Sequence, residues 1–165
     1  ATIAFKRGTI FLPSENEWYK AAYYDPATES YFANPARSNT ATGCEAPTGT
    51  ANRANCDGAV GGVTRVGAYA GSASPYGTFD QGGNVWEWNE QSVAIGSLRG
   101  IRGGSWNLSA GPLAASNPNF NSPTVESHNV GFRVASLVPE PDASLLAAAA
   151  LASLVALRRR GDRAL

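Results

Sequence analysis

Very few side chains in this sequence carry chemistry beyond packing and hydrogen bonding. Its two cysteines, Cys44 and Cys56, stand twelve positions apart, its single histidine is His128, and two acids, Asp80 and Glu87, bracket the stretch Asp80-Gln81-Gly82-Gly83-Asn84-Val85-Trp86-Glu87. A thiol pair can form a disulfide, hold a metal or run redox exchange. No C-x-x-C and no neighbouring His supports the last two, so a disulfide is expected, with two unrelated free thiols as the other reading. Closing that loop would contribute about 3 kcal/mol by chain entropy. His128, beside Asn129, has no Cys or Ser motif next to it and reads as a surface or loop histidine. H-E-x-x-H, G-x-S-x-G and a phosphate loop do not occur in the sequence, which removes the commonest hydrolase and nucleotide chemistries. Taken alone, Asp80 and Glu87 are a solvated acid and a salt-bridge partner, with Arg133 as a candidate cation.

These residues need elements to position them, and the sequence signals few. Ser14 as N-cap with Glu17 three positions on makes a capping box, and Pro13 and Trp18 occupy the staple positions. Trp18, Ala21 and Ala22 then share one helical face, and Asp25-Pro26 stops the helix. Residues 26–62 are rich in Asn, Thr, Ala, Gly and Pro with few large apolar side chains, so a long coil is expected there, held by something other than a core. Trp86 and Trp88 share a face if that stretch is extended. Gly103 and Gly104 permit close backbone approach beside Trp106, and Val130-Gly131-Phe132-Arg133-Val134 reads as a short buried strand.

Composition bounds the function. The 165 residues include 18 Gly and 10 Pro, 16% are charged, and 13 basic side chains face 13 acidic ones. With zero formal charge, neither an electrostatic nucleic-acid surface nor a highly charged disordered chain is expected. Up to residue 136 the body carries nine basic and ten acidic side chains, a near-neutral, glycine-rich globule. No Met occurs anywhere, so the chain reads as a fragment or processed product, and a missing leader is no sign of a cytoplasmic home.

From Leu137 the composition changes. Val138-Pro139-Glu140-Pro141-Asp142 precedes an apolar run from Ala143 to Leu157, and Arg158, Arg159, Arg160 and Arg163 close the chain. As a helix the run would be about 22 Å long, short of the roughly 30 Å hydrocarbon core. Snorkelling arginines and local thinning cover that mismatch, and the basic end stays cytoplasmic. The order Pro-Glu-Pro, short apolar helix, Arg-Arg-Arg resembles the PEP-CTERM sorting signal of Gram-negative bacteria. That resemblance implies export, transient inner-membrane anchoring, processing by an exosortase-type protease near Pro139, Glu140 and Pro141, and a final cell-surface or extracellular location. Membrane lipid and the protease are then expected partners.

A second resemblance covers residues 8–136. Phe11-Leu12-Pro13-Ser14-Glu15-Asn16-Glu17-Trp18, Phe79-Asp80-Gln81-Gly82-Gly83-Asn84-Val85-Trp86-Glu87-Trp88, Arg99-Gly100-Ile101-Arg102-Gly103-Gly104-Ser105-Trp106 and Asn129-Val130-Gly131-Phe132-Arg133-Val134 occur in that order. Together they resemble the formylglycine-generating enzyme, or sulfatase-modifying factor, family. The resemblance implies an α+β, coil-rich, C-type-lectin-like fold, here truncated at its N-terminus. It also implies calcium held by the side chains of Asp80 and Glu87 and the carbonyls of Gly83 and Val85, a mixed oxygen set suited to a hard cation. A second family calcium region makes Asn52 and Asp57 weaker candidates. The oxidase members bind copper through two cysteines five positions apart, and those positions are Leu108 and Leu113 here. Leucine supplies no thiolate, so no copper and no catalytic residue are expected.

The expected organisation is therefore a sulfatase-modifying-factor-like domain at 1–136, a Pro-Glu-Pro linker at 137–142, a transmembrane helix at 143–157 and a basic cytoplasmic tail at 158–165. The expected function is a non-catalytic, exported binding or structural module. Its face around residues 106–128 would meet a surface polysaccharide or protein ligand and no nucleic acid; as a separate reading, Asn117, Asn119 and Asn121 resemble in composition the Asn-rich variable sites of lectin-fold proteins. The alternative is an enzyme of the wider family, oxidative or sulfur-transferring, with its ligands in a missing N-terminal half. Removing Arg158, Arg159 and Arg160 is expected to weaken membrane retention, whereas substituting Glu140 spares insertion and blocks processing. Fractionation of hosts with and without an exosortase checks this, and a soluble, full-length chain in both would refute it.

Overall fold

The structure, a computed structural model, describes residues 10–93 and 98–136. The Pro-Glu-Pro segment, the apolar run and the terminal arginines lie outside the described residues. No helix among the described residues is long and apolar enough to cross a membrane. Phe11–Ala135 form one compact unit, and of the second unit, drawn from the residues on either side, only Ile10 and Ser136 are described.

After a short strand β1 (Ile10–Phe11), helix α1 spans Glu15–Tyr23 and begins at the expected capping box. The Glu17 amide donates to Ser14 Oγ at 3.2 Å, and the Ser14 amide donates to the Glu17 carboxylate at 2.7 Å. Glu15 and Glu17 in the first turn and Lys20 in the last complement the helix dipole. The buried face is Trp18, Ala22 and Tyr23, while Ala21 is only half-buried. Tyr23 turns inward because its ring packs 4.9 Å from Tyr19 and edge-on to Trp18, and its hydroxyl donates to the Leu113 carbonyl at 2.9 Å. Tyr24 is already extended and starts β2 (Tyr24–Asp25), antiparallel to β3 (Ser30–Tyr31). The Asp25 carboxylate accepts from the Ala27 amide and the Thr28 hydroxyl, forming the turn between them.

The coil after β3 holds one small ladder, β4 (Gly43–Cys44) parallel to β5 (Arg53–Ala54). Cys44 and Cys56 are joined in a disulfide with Cα atoms 4.9 Å apart. Ala54, Cys56 and Leu113 form a core cluster against which Cys44 packs. The bridge thus clamps the coil onto the 3-10 turn Gly111–Leu113.

A four-stranded mixed sheet carries the rest, formed by β6 (Trp86–Val93), β7 (Leu98–Arg102), β8 (Asn119–Asn121) and β9 (Val130–Phe132), in the order β8-β7-β6-β9. β7 is antiparallel to β6 and β8, whereas β9 runs parallel to β6 in the register Trp86↔Val130 and Trp88↔Phe132. A short β10 (Ala135–Ser136) ends the described chain. The expectation of a buried strand at 130–134 fails, since Phe132 is 66% and Val134 57% exposed. β9 is an edge strand, and the inward positions here are Gly131, pressed against Val85, and Arg133, just past the end of β9, which reaches Glu87. The period-two pattern is present with its polar member facing inward.

Reducing the Cys44–Cys56 bridge should cost about 3 kcal/mol, a fall of roughly 10 °C in Tm for a unit of this size. Calorimetry of the oxidised and reduced protein checks this. An unchanged Tm would mean that the core around Leu113 holds the coil unaided.

Candidate functional site

Two buried ion pairs fix the polar interior. Glu87, 6% exposed, receives Arg133 Nη2 at 2.6 Å on one carboxylate oxygen, while Arg133 Nε and Trp18 Nε1, the latter at 2.7 Å, donate to the other. Arg102 pairs with Glu15 at the first position of α1, and Asn89 Nδ2 donates to that carboxylate at 2.6 Å. Glu87 and Asn89 alternate with Trp86 and Trp88 along β6, so the face turned to α1 is the polar one. Arg102 also lies 5.3 Å from the Tyr19 ring centroid, a cation–π contact that seats the helix on the sheet.

Of the residues expected to hold calcium, Glu87 is paired with Arg133, whose Nη2 also donates at 3.2 Å to the carbonyl of Phe79, next to Asp80. The Asp80 carboxylate accepts the Gly67 amide at 2.7 Å. Burial raises its pKa, opposed by that hydrogen bond and by the Arg133 charge. Gly83 takes φ +76°, and a Cβ there would stand 2.3 Å from the Asn55 carbonyl oxygen, so only glycine lets the loop close. Among the described residues no three His, Cys, Asp or Glu side chains cluster for a metal, so a cation at this loop would depend on carbonyl oxygens. The donor types at Asp80, Gly83, Val85 and Glu87 fit a hard cation, but the charge of Glu87 is already matched by Arg133.

The weaker candidates separate. Asn52 Nδ2 donates to the Thr40 and Ala41 carbonyls, and Asp57 is exposed. Asn55, not singled out by sequence, is the inward residue: 1% exposed, it donates to the Gly62 carbonyl and to Asn84 Oδ1, while its own Oδ1 lacks a hydrogen-bond partner. No signal in the sequence marks it, since its burial comes from loops distant along the chain.

Leu113 is fully buried. Gly104, at φ +72°, lies so close that a Cβ would meet Leu113 Cδ1 at 2.7 Å. The half-buried Leu108 gives its carbonyl to the Asp57 amide at 2.7 Å. His128 is exposed, with its ring 5.7 Å from that of Trp106. Flanking them in the chain, Ser105, Asn107, Ser127 and Asn129 form a side-chain hydrogen-bond network. Asn117, Asn119 and Asn121 are bonded locally, to the Gly111 carbonyl and the Phe120 and Ser122 amides respectively.

Among the described residues the scaffold is a mixed sheet, one α-helix and ordered coil, and comparison with known proteins identifies its class. The model of the sulfatase-modifying factor enzyme 1-like domain matches residues 3–138, and the chain belongs to that family. Hercynine oxygenase of Mycobacterium tuberculosis is 34% identical over 142 residues, which cover 75% of this chain and 32% of that protein. Inactive C-alpha-formylglycine-generating enzyme 2 of Bos taurus is 32% identical over 145 residues, 81% of this chain and 46% of that protein. Among solved structures, Treponema denticola variable protein 1 superposes with a TM-score of 0.59 at 26% identity, covering 77% of this chain and 47% of that one. PvdO from Pseudomonas aeruginosa shares the fold, with a TM-score of 0.55 at 20% identity over 78% of this chain and 53% of that one. The chain spans less than half the length of these curated relatives.

Arg133→Ala should leave Glu87 buried without its cation and destabilise the protein by about 3–5 kcal/mol. Adding Glu87→Gln to that variant should restore part of the loss. Urea unfolding of the three proteins measures both, and an Arg133→Ala protein as stable as the parent would remove the pair from its central role.

Proposed function

We propose that this chain is a non-catalytic, exported binding or structural module of the bacterial surface or extracellular matrix, held transiently in the membrane by its Pro-Glu-Pro, apolar and arginine segments. The observation that carries the non-catalytic reading is Leu113. Where the resemblance to the oxidases places a copper thiolate, this chain has a fully buried leucine packed on Ala54 and Cys56, with its carbonyl held by Tyr23. Both cysteines of the sequence are consumed in one disulfide, so neither supplies a soft ligand. The 32% identity to a relative named as inactive supports the same reading. The ligand face is the Trp106–His128 surface with Asn107, suited to a polysaccharide or a protein partner.

A second reading, a metal-dependent oxidative enzyme with its ligands in sequence outside this chain, is favoured by the 34% identity to hercynine oxygenase. The two readings part in an assay. The whole protein, with any sequence that lies outside this chain, supplied with copper should yield no formylglycine from a cysteine-containing sulfatase peptide above the metal-only control. With iron it should likewise give no oxygen uptake on hercynine. Turnover in either arm would overturn the non-catalytic reading.

Calcium belongs to this proposal through Asp80, Gly83, Val85 and Glu87. Because Arg133 already neutralises Glu87, binding leans on Asp80 and the two carbonyls, and a modest Kd of roughly 10⁻⁴ to 10⁻³ M is expected, as in extracellular modules. Saturating calcium should raise Tm through mass action, and Asp80→Asn should abolish that rise. A melting curve indifferent to calcium and chelator would remove the cation from the proposal.

A further inference from the structure

A small crevice lies where the coil around Thr42 and Arg53 meets the turn Asp80-Gln81-Gly82. Its free volume is about 10 Å³, enough for one water and no more. Gln81 is 2% and Thr42 7% exposed, and both line this space. Gln81 Nε2, Gln81 Oε1 and Thr42 Oγ1 are buried without a hydrogen-bond partner. Three orphaned polar atoms beside one void of water size are not a chance loss, since nearly all buried polar groups find a partner and each unmet one costs about 1–3 kcal/mol.

The lining selects the occupant. The Arg53 guanidinium, paired with Glu45, opposes a cation, whereas the Asp80 carboxylate opposes an anion. A donor-only group would leave Gln81 Nε2 unmet, and an acceptor-only group would leave Gln81 Oε1 unmet. The occupant must be neutral, single-atom in size, and able to give and accept together. We propose that this crevice is a built binding site for one ordered water, which accepts from Gln81 Nε2 and donates to Gln81 Oε1 or Thr42 Oγ1. The water ties the coil of residues 26–62 to the turn that carries Asp80. It supplies a polar fastening beside the apolar cluster of Ala54 and Cys56.

Two measurements on the full chain test this. In the parent protein, the side-chain amide protons of Gln81 should show a magnetisation-transfer peak to a long-lived water, and a crystal structure that resolves solvent should show one peak in the crevice. The peak should weaken in Thr42→Val. Each of Thr42→Val and Gln81→Leu should lower Tm by roughly 3–10 °C, and the double variant by clearly less than the sum, because removing both partners removes the need for the water. A direct Thr42–Gln81 hydrogen bond closing the void, an empty crevice, strictly additive Tm losses, or an occupant that changes when sodium is exchanged for ammonium would each overturn the proposal. Should Gln81→Leu fail to fold, the transfer peak and crystal of the parent protein decide it alone.

Discussion

A carboxylate as deeply placed as Glu87 must find its counter-charge inside the protein, and the unit is arranged around that requirement. Its oxygens are met by Trp18, 69 positions earlier, and by Arg133, 46 positions later. The first belongs to α1, the second follows β9, and Glu87 itself lies on β6, so one charge-matched contact fixes the helix, the central strand and the edge strand together. Buried pairs of this kind add little net stability over an apolar substitute, but an unmatched charge is so costly that few other arrangements compete. Glu15–Arg102 repeats the device one strand away and completes the seat of α1 on the sheet.

With the sheet and helix set, the remaining coil is ordered by backbone stitching rather than by regular structure. The Asn84 amide donates to the Asn55 carbonyl and the Trp106 amide to the Asn84 carbonyl, and the Gly58 and Asp57 amides donate to the Trp106 and Leu108 carbonyls. Three loops distant in sequence are zipped into one layer this way, and only residues able to adopt left-handed backbone, such as Gly83 and Gly104, allow the approach. Leu113 closes the layer from below. The Leu113 side chain is committed to packing against Ala54 and Cys56.

Membership of the sulfatase-modifying factor family therefore establishes a framework more than an activity. The framework presents the surface of Trp106 and His128 and the turn carrying Asp80, both built from loops anchored by backbone hydrogen bonds. The longer relatives carry further sequence beyond the matched part, and chemistry that needs those parts belongs to the whole proteins.

Local signals in the sequence determined what depends on near neighbours. The Ser14–Glu17 capping box, the stop after the helix, the coil of residues 26–62 and the joining of Cys44 to Cys56 were all legible, because each rests on short-range geometry or on there being a single possible pair. The family was legible from its four ordered blocks. The tertiary structure alone decided which face of each element turns inward. Val130–Val134 reads as a buried strand by its apolar residues, yet Arg133 is the member that turns inward, because Glu87 lies across from it and a buried carboxylate outweighs the gain from burying Phe132. Asn55, Gln81 and Thr42 are unremarkable polar residues along the chain, and only the folding of distant loops over them makes them buried. Burial of a polar atom is a property of what the rest of the molecule brings against it, and periodicity along one strand or helix does not contain that information.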